Sequence, residues 1–263
     1  MLVATGWRTA APVASPAAQA ARKYYLIQHH EIWDGPADEV NATWRLPLHK
    51  IVIARWLQDV ARDLGVSDDV SYVPNGIDFD RFRLLTPPED RSPHLVGMLY
   101  HPAAWKGARE GLAALAQARA AVPDLTAVLF GTGGPPPLPP WARYQQLPSP
   151  LELEALYNRC AIFLHSSLAE GWGLPPAEAM AAGAALVGFA NGGVLDYAVS
   201  GETALLAPVG DVGALAALLV RLCQRPDERM ALARAGSRAI RHYTWERAVS
   251  RMEQVLSDRR PLP

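Results

Sequence analysis

Cysteine is scarce in this 263-residue sequence, and long apolar runs and any large excess of charge are absent. The two cysteines, Cys160 and Cys223, lie in apolar segments, which favours reduced core thiols over a disulfide framework and predicts a cytoplasmic protein. No apolar run is long enough to span a bilayer, so no transmembrane segment is expected, while peripheral membrane contact stays open. The net charge of −1 comes from well-mixed charges, which argues against a nucleic-acid partner.

Two widespread nucleotide-binding motifs are also missing. A nicotinamide-dependent oxidoreductase needs Gly-x-Gly-x-x-Gly between a strand and a helix, but Gly131-Thr-Gly133 is followed by Gly134 and three prolines. No loop ends in Gly-Lys-Ser or Gly-Lys-Thr, which excludes a P-loop ATPase. Lysine itself is rare, and Lys106 is the only lysine that follows Lys50.

Short apolar runs alternate with helical patterns, which predicts an α/β fold with parallel strands. A stretch rich in proline and charge, Phe82–Pro93, lacks periodicity and reads as a linker. The strand-helix pattern then restarts, which predicts a doubly wound sheet with ligands at the carboxyl ends of its strands. We therefore predict a first domain over residues 1–80, a linker over 81–92, a second domain over 93–241 and a terminal helical segment over 242–263.

The strongest chemical signal is a pair of glutamates, Glu170 and Glu178, at a predicted strand-to-helix junction. Gly171 and Gly173 allow the backbone to approach a ligand closely, and Pro175 suits a first helical turn. The N–H groups and the positive dipole end of this helix form an anion site suited to a diphosphate. A carboxylate in the first turn can accept hydrogen bonds from two adjacent ribose hydroxyls. Ordinary helix capping is the alternative interpretation.

The segment from Glu170 to Glu178 resembles the paired-glutamate motif of group 1 (family 4) retaining glycosyltransferases. Other segments resemble motifs of the same family in the same order: Val73-Pro-Asn-Gly-Ile-Asp78, Trp105-Lys106-Gly107, Leu129-Phe-Gly-Thr-Gly133, Asn191-Gly192-Gly193 and Tyr243-Thr-Trp-Glu246. The resemblance covers about residues 70–256. It implies a GT-B fold: a Rossmann-like C-terminal domain with a doubly wound parallel sheet, a partial N-terminal Rossmann-like domain that lacks its start, and a last helix that crosses back to the first domain.

The resemblance also implies a role for each matching residue. Glu170 is expected to contact the donor sugar, Lys106 to pair with the diphosphate, and Glu178 to bind the ribose. His29 is expected to face the cleft near the donor sugar, because neighbouring strand residues point to opposite faces and only one of His29 and His30 can do so. The remaining predicted substrate-binding residues are Gly171, Trp172, Gly173, Leu174, Gly131, Gly192, Gly193 and Arg109.

Three positions depart from the family pattern. Met98 stands where the family usually has a second phosphate-binding arginine. Arg109 lies three residues past Lys106, hence on the same helix face, and is a candidate replacement, as is His101. His165 replaces a usual proline, and Asp196 replaces a usual glutamate after the double glycine.

The implied reaction moves a sugar from a nucleotide-diphosphate donor to an acceptor hydroxyl with retention, in bacterial polysaccharide or glycoconjugate synthesis. The acceptor is a carbohydrate or is lipid-linked. No cofactor is implied beyond the donor substrate. No metal is implied either, because Lys106 and the helix N-terminus are expected to stabilise the charge of the departing diphosphate. Two alternatives stay open: a truncated module that binds nucleotide sugar without transfer, and a GT-B sugar-nucleotide epimerase. The donor base and sugar and the oligomeric state are not determined by the sequence.

Overall fold

The computed structural model describes residues 1–257. Met1–Gly76 and residues 243–257 form one compact unit, and Ile77–His242 form another. The predicted linker over 81–92 lies within the second unit, where Pro88–Asp90 forms a 3₁₀ helix. Residues 258–263 of the predicted terminal segment lie outside the described residues. No helix formed by residues 1–257 is long and apolar enough to cross a membrane.

The first unit contains a four-stranded parallel sheet in the order β1-β2-β3-β4. Its elements are β1 (Leu2–Ala4), α1 (Trp7–Ala14), β2 (Lys23–Ile27), α2 (Ala37–Trp44), β3 (His49–Val52), α3 (Arg55–Asp63), β4 (Val70–Tyr72) and, at the far end of the chain, α9 (Trp245–Ser257). Helix α9 packs on this sheet, since Val255 is buried in one cluster with Tyr24, Ile51 and Val73.

Sequence periodicity did not predict α1 or α2, because both are short and α1 contains Pro12. Distant residues hold α1 in place. The Glu31 carboxylate accepts a hydrogen bond from the Trp7 backbone N–H at 2.8 Å, and Asp34 pairs with Arg8 at 3.2 Å. A carboxylate at a helix N-terminus is favoured by the helix dipole. These contacts span more than twenty residues, so local patterns do not show them.

The second unit contains a six-stranded parallel sheet in the order β10-β9-β8-β5-β6-β7. Its elements are β5 (Ser92–Leu99), α4 (Ala108–Ala121), β6 (Thr126–Gly131), β7 (Ala142–Gln146), α5 (Pro150–Arg159), β8 (Cys160–His165), α6 (Leu174–Ala181), β9 (Ala185–Phe189), β10 (Ala204–Ala207), α7 (Val212–Gln224) and α8 (Pro226–Ala239). When the strands of this sheet are renumbered from β5 as the first, their order read from β7 is 3-2-1-4-5-6, the order of dinucleotide-binding folds. The prediction of a doubly wound sheet is confirmed.

The interior strands β8 and β9 of this sheet are buried along their whole length, as their continuous apolar runs predicted. Helices cover them through apolar stripes: Leu215, Leu219 and Leu222 of α7 are fully buried. Cys160 and Cys223 are buried and unpaired, which agrees with the prediction of reduced core thiols.

The edge strands of this sheet are β7 and β10, and the sequence did not predict β7. β7 carries partly exposed polar residues and follows a proline-rich loop, while β10 has only 4 residues, all of them apolar. An edge strand has one partner and an exposed side, so polar residues are tolerated in it. β7 is therefore recognised by its pairing rather than by its composition.

The segment predicted as a linker is attached to α5 by buried polar groups. Asn158 accepts hydrogen bonds from the backbone N–H groups of Leu85 and Thr86 and donates to the carbonyl of Arg83. The buried Arg91 guanidinium donates to the carbonyls of Tyr157 and Cys160 among others. Because these bonds satisfy groups far apart in the chain, the segment is ordered despite its irregular composition.

Candidate functional site

The strand order of the second unit creates a crevice where a ligand is expected. β5 and β8 are neighbours, but the chain continues from β5 to one side of the sheet and from β8 to the other. In open α/β sheets, ligands bind outside the carboxyl ends of the strands at such a point. The segments that follow β5 and β8 carry Lys106 and Glu170, respectively.

Lys106 and Glu170 form an ion pair at this point. The Lys106 Nζ lies 2.7 Å from the Glu170 Oε1, and the Ser167 hydroxyl donates to the same oxygen at 2.8 Å. The Lys106 and Glu170 side chains are only 24% and 10% exposed, so solvent and salt screen their attraction weakly. The structure therefore brings together two residues that are 64 positions apart in the sequence.

A glycine makes this approach of the two segments feasible. Gly107 follows the 3₁₀ turn Ala104–Lys106 and has a φ of +58°. A Cβ atom at this position would lie 1.9 Å from the carbonyl oxygen of Ser166. Any other residue would push apart the loops that carry Lys106 and Glu170, which gives a physical reason for the Lys-Gly pair in the sequence.

Glu170 is poised to be charged at neutral pH. Its burial opposes ionisation, but protonated His165, Lys106 and the hydrogen bonds from Lys106 and Ser167 outweigh burial and place the Glu170 pKa below its usual value of 4.5. His165 is itself neutral at pH 7, so Lys106 is the cation that stabilises the Glu170 carboxylate there.

His165 ends β8 as a buried, neutral group. Burial lowers its pKa from 6.5 to about 4. The Asn191 amide lies 2.8 Å from the His165 Nε2 and donates to the Ser167 carbonyl at 2.8 Å. These contacts make the Nε2 of His165 an acceptor, which leaves the ring proton on Nδ1. The network holds the loop between β8 and Glu170 in place. In the sequence, its only sign was that His165 stands where the family usually has a proline.

Helix α6 begins directly after the glutamate loop. Gly173 precedes it with a φ of +90°, and the next residue, Leu174, is exposed. Pro175 and Pro176 have no N–H group, so the backbone donors at this helix start are confined to residues before Pro175. The expected anion site thus has fewer donors than an ordinary helix N-terminus offers, which gives the charge of Lys106 more weight.

Trp172 contributes packing to this loop. Its indole is buried and lies 4.8 Å from the Tyr197 ring, and the Tyr197 hydroxyl donates to the Gly173 carbonyl at 2.8 Å. Gly193 passes so close that a Cβ atom would lie 2.9 Å from the Glu170 carbonyl oxygen and from Trp172. The side chain of Trp172 therefore shapes the loop, and its backbone is the part that can reach a ligand.

Glu178 lies in α6 with one oxygen occupied. The Tyr157 hydroxyl donates to its Oε2 at 2.9 Å. Burial raises the Glu178 pKa above 4.5, against the opposing effects of the Tyr157 hydrogen bond and the Arg81 charge. Sequence reasoning missed Tyr157. The available signal was the Tyr157 hydroxyl itself, a polar group on an aromatic residue in the core-facing part of α5.

Several predicted residues have other surroundings. Gly131 ends β6 so close to β5 that a Cβ atom would lie 2.2 Å from the Tyr100 carbonyl oxygen. Gly192 lies between Asn191 and a 3₁₀ turn. Lys106 ends a 3₁₀ turn and Arg109 lies in α4, with Gly107 at a φ of +58° between them, so the expectation that they share a helix face is wrong. The Arg109 side chain is 92% exposed and pairs with Glu110 at 2.8 Å. Their contacts with a ligand stay predictions.

Met98, at the position of the missing arginine, is fully buried. The Ser166 hydroxyl lies 3.8 Å from its sulfur, and a Cβ atom on Gly111 would lie 2.5 Å from that sulfur. The space beneath the Lys106 loop is therefore filled by an apolar side chain. No second cation enters the site from this strand.

His29 belongs to the first unit, in the turn that follows β2. Its ring makes edge contacts with Trp33 and Trp56 at centroid distances of 6.0 and 5.4 Å. His30 instead bonds Asn41 at 2.7 Å. The two histidines have different partners, but both follow the end of β2 at Ile27, so strand alternation does not apply to them. The role of His29 toward a sugar stays a prediction.

No cluster of three or more metal-ligating side chains occurs among residues 1–257. The sequence does contain an Asp-x-Asp pattern at Asp78-Phe-Asp80. There the Asp78 carboxylate accepts the backbone N–H groups of Asp80 at 3.0 Å and Arg81 at 3.1 Å. This carboxylate therefore stabilises a turn at the start of the second unit.

Comparison with known proteins identifies related chains. The family model described as "Glycosyl transferases group 1" matches residues 94–225. The serotype-specific mannosyltransferase WbdA of Escherichia coli is 60% identical over 37 residues, which is 14% of this chain. This match spans only 4% of the length of WbdA.

Solved structures resemble the chain over nearly its whole length. Sucrose-phosphate synthase from Thermosynechococcus elongatus has a TM-score of 0.81 at 19% identity, covering 98% of this chain and 73% of that one. HepE from Anabaena, in complex with UDP-glucose, has a TM-score of 0.79 at 17% identity and covers 97% and 78%. TarM has a TM-score of 0.80 at 14% identity and covers 97% and 54%. At these identities the likeness shows the fold, which is of the GT-B type with two Rossmann-like parallel-sheet units.

Proposed function

We propose that this chain, which belongs to the glycosyl transferases group 1 family, binds a nucleoside-diphosphate sugar at the carboxyl edge of the six-stranded sheet and transfers the sugar to an acceptor hydroxyl with retention. The observation that carries the proposal is the ion pair of Lys106 and Glu170 at the point where the strand order reverses. Glu178, which follows in α6, supplies the second carboxylate of the motif.

The proposed donor pose follows the chemistry of these groups. Glu178 accepts hydrogen bonds from the ribose hydroxyls, since the structure records a protein partner only for its Oε2 among residues 1–257. Lys106 and the backbone at the start of α6 hold the diphosphate. Glu170, which shares an ion pair with Lys106, lies next to the diphosphate in this pose and accepts hydrogen bonds from the sugar.

Catalysis in this proposal rests on stabilising the leaving group. When the bond between the anomeric carbon and the diphosphate oxygen breaks, negative charge accumulates on the departing phosphate. Lys106 is partly buried and already positioned, so it stabilises this charge without first being reorganised. Arg109 or His101 is proposed as a second cation in place of the arginine absent at Met98. The proposal uses neither a metal nor a cofactor.

The family resemblance assigns two further features. His29 is proposed to contact the donor sugar, and the acceptor is proposed to be a carbohydrate or a lipid-linked glycan in bacterial polysaccharide synthesis. Support for a glycan product comes from the match to WbdA, a mannosyltransferase, over a short segment. The unpaired, buried Cys160 and Cys223 fit the reducing cytoplasm, which is the proposed location.

The donor base can be found by direct titration. Related structures hold UDP or UDP-glucose, so UDP comes first in a calorimetric series with GDP, dTDP and ADP. We expect one nucleotide to bind, and Glu178→Ala to weaken that binding by about tenfold or more. Glu253→Ala, which changes an exposed glutamate of α9, is the matched control and is expected to bind normally. A folded chain that bound none of the four would overturn the proposal.

Turnover separates the proposed function from its alternatives. The chain is incubated with the matching nucleotide sugar, with and without glycan acceptors, and the products are followed by NMR. Transfer with an unchanged anomeric configuration supports a retaining transferase. Nucleotide binding with no turnover under any condition would identify a binding module. Conversion of the sugar without an acceptor would identify an epimerase.

A further inference from the structure

Tyr157 is buried in an aromatic cluster of the second unit. Its ring makes edge contacts with Phe82, Phe130 and Phe163 at centroid distances of 5.8, 5.7 and 5.6 Å. Its backbone carbonyl accepts a hydrogen bond from the buried Arg91. Both the ring and the backbone are therefore held, and the hydroxyl has one position available to it.

That hydroxyl is the polar group of an otherwise apolar cluster. A phenylalanine would fill the same volume without burying an oxygen, so packing does not explain why tyrosine is present. The hydroxyl donates to the Glu178 Oε2 at 2.9 Å, and this bond offsets the cost of its burial. The residue thus reaches from the core to the carboxylate proposed to bind the ribose.

We infer that Tyr157 is a positioning residue for Glu178: its hydroxyl holds Oε2 so that the carboxylate presents its remaining acceptor sites to the ribose of the donor. This inference rests on the proposed function, because it assigns a partner to the ribose-binding group of that site. Tyr157 acts through Glu178 and is not expected to touch the nucleotide.

Protonation agrees with this direction of the hydrogen bond. Burial raises the pKa of Tyr157 well above 10, so the phenol stays a donor at every pH at which the protein is handled. Burial also raises the pKa of Glu178, and the Tyr157 hydrogen bond opposes that effect. Loss of the hydroxyl therefore disturbs both the orientation of Glu178 and its charge.

The test is a double-mutant cycle on nucleotide affinity. Tyr157→Phe, Glu178→Ala and the double variant are titrated calorimetrically with UDP, GDP, dTDP and ADP. We expect Tyr157→Phe to bind the preferred nucleotide about tenfold more weakly than the unmodified chain. In the Glu178→Ala background, Tyr157→Phe is expected to change nucleotide affinity less than twofold, because the carboxylate through which Tyr157 acts is absent.

A pH series adds a readout that a packing role would not move. As pH falls, Glu178 is protonated and nucleotide affinity declines, and in Tyr157→Phe this decline is expected to begin at a higher pH. Tyr24→Phe, which removes a buried hydroxyl in the first unit, is the matched control and is expected to bind with the same pH profile as the unmodified chain.

The outcomes distinguish this inference from the proposed function. If the folded chain binds none of the nucleotides, the proposed function fails. If the chain binds and Glu178→Ala weakens binding, but Tyr157→Phe binds as well as the unmodified chain, the inference alone is wrong. Equal losses from Tyr157→Phe in both backgrounds would also overturn it, because the tyrosine would then act independently of Glu178.

Discussion

The two glutamates of the site are both largely buried, yet their surroundings push their ionisation in opposite directions. Glu170 contacts the Lys106 ammonium, and its pKa lies below the usual value. Glu178 contacts the neutral Tyr157 phenol, and its pKa lies above it. Burial raises the pKa of both groups. At Glu170 the charges of His165 and Lys106, with two hydrogen bonds, outweigh burial. At Glu178 the Tyr157 hydrogen bond and the Arg81 charge do not.

This difference suits two different tasks. The carboxylate paired with Lys106 keeps a cation in place where a diphosphate is proposed to bind, and it stays charged. The carboxylate paired with a phenol keeps a hydrogen-bond acceptor for the neutral ribose hydroxyls proposed to bind there, and it carries less negative charge at lower pH.

The largest effect is expected from Lys106→Ala. It removes the cation that is proposed to stabilise the leaving diphosphate, and it leaves Glu170 buried without this counter-charge. We expect the rate of sugar transfer to fall by about 10²–10³-fold, a typical loss for one electrostatic stabiliser of a transition state. Initial rates at saturating donor measure the effect. Lys106→Arg retains the charge and is expected to lose less, and equal losses in both variants would contradict the charge-based role.

His165, which lies near Glu170, is expected to make the stability of the fold depend on pH. Its folded pKa of about 4 lies below the unfolded value of 6.5, so the unfolded chain takes up the proton first as the pH falls. The buried neutral form therefore stabilises the fold above pH 6.5, and this contribution is lost as the pH falls toward 4. The loss amounts to roughly 3 kcal/mol at most.

His165→Gln keeps a hydrogen-bond acceptor but does not titrate. Urea unfolding at pH 7, 5.5 and 4.5 is expected to show a smaller loss of stability in this variant than in the unmodified chain. An identical decline in both would mean that His165 is not the group whose protonation destabilises the fold.

A smaller effect is expected when each glutamate is made neutral at pH 7. Glu170 has a lowered pKa, so its charge stabilises the fold above the unfolded pKa and loses this effect as the pH falls. Glu178 has a raised pKa, so its ionised form opposes folding at neutral pH. Glu170→Gln is expected to lower the melting temperature by about 2–4 °C, the shift that follows from about 1 kcal/mol in a chain of this size.

Glu178→Gln is expected to melt at the same temperature as the unmodified chain or slightly above it, while it loses nucleotide affinity. Calorimetric melting at pH 7 and at pH 4 tests both variants, and the difference between them is expected to shrink at the lower pH. Equal destabilisation by the two substitutions at pH 7 would contradict the opposite pKa directions.

The smallest effect is expected from Arg109→Ala. As the proposed second cation, Arg109 must leave Glu110 to reach a phosphate from a side chain that is now 92% exposed. An exposed charge contributes little, so we expect nucleotide affinity to fall about threefold. Calorimetry at low and high salt measures it, since the loss should disappear at high salt. No loss at low salt would end the assignment of Arg109.

The candidate site was predictable where one short segment carries all the chemistry. The spacing of Glu170 and Glu178 across a strand-to-helix junction is a local feature, and the glycines between them mark the tight backbone path. Lys106 was predicted from its rarity and its glycine neighbour, by resemblance. Tyr157 was not predicted, because its hydroxyl contacts Glu178 only when α5 and α6 pack together.

The same division runs through the fold. The continuous apolar runs of β8 and β9 were enough to predict buried parallel strands, because a strand covered on both faces must be apolar on both. Edge strand β7 and helix α1 depended on partners elsewhere in the chain, and their own residues are compatible with other structures. Contacts such as that of Glu31 with the start of α1 select among them.

The sequence by itself determined the class of fold, because the hydrophobic period is a property of consecutive residues. It also placed Glu170 and Glu178 at a strand-to-helix junction, and the family resemblance singled out Lys106. Only the tertiary structure decided which partner each carboxylate has. Burial raises the pKa of both glutamates. The groups around Glu170, among them the Lys106 ammonium from 64 residues away, outweigh burial there. The hydrogen bond from Tyr157, 21 residues away, lowers the Glu178 pKa but does not outweigh burial. Ionisation depends on the charge within a few ångströms, and that neighbourhood exists only once the chain has folded.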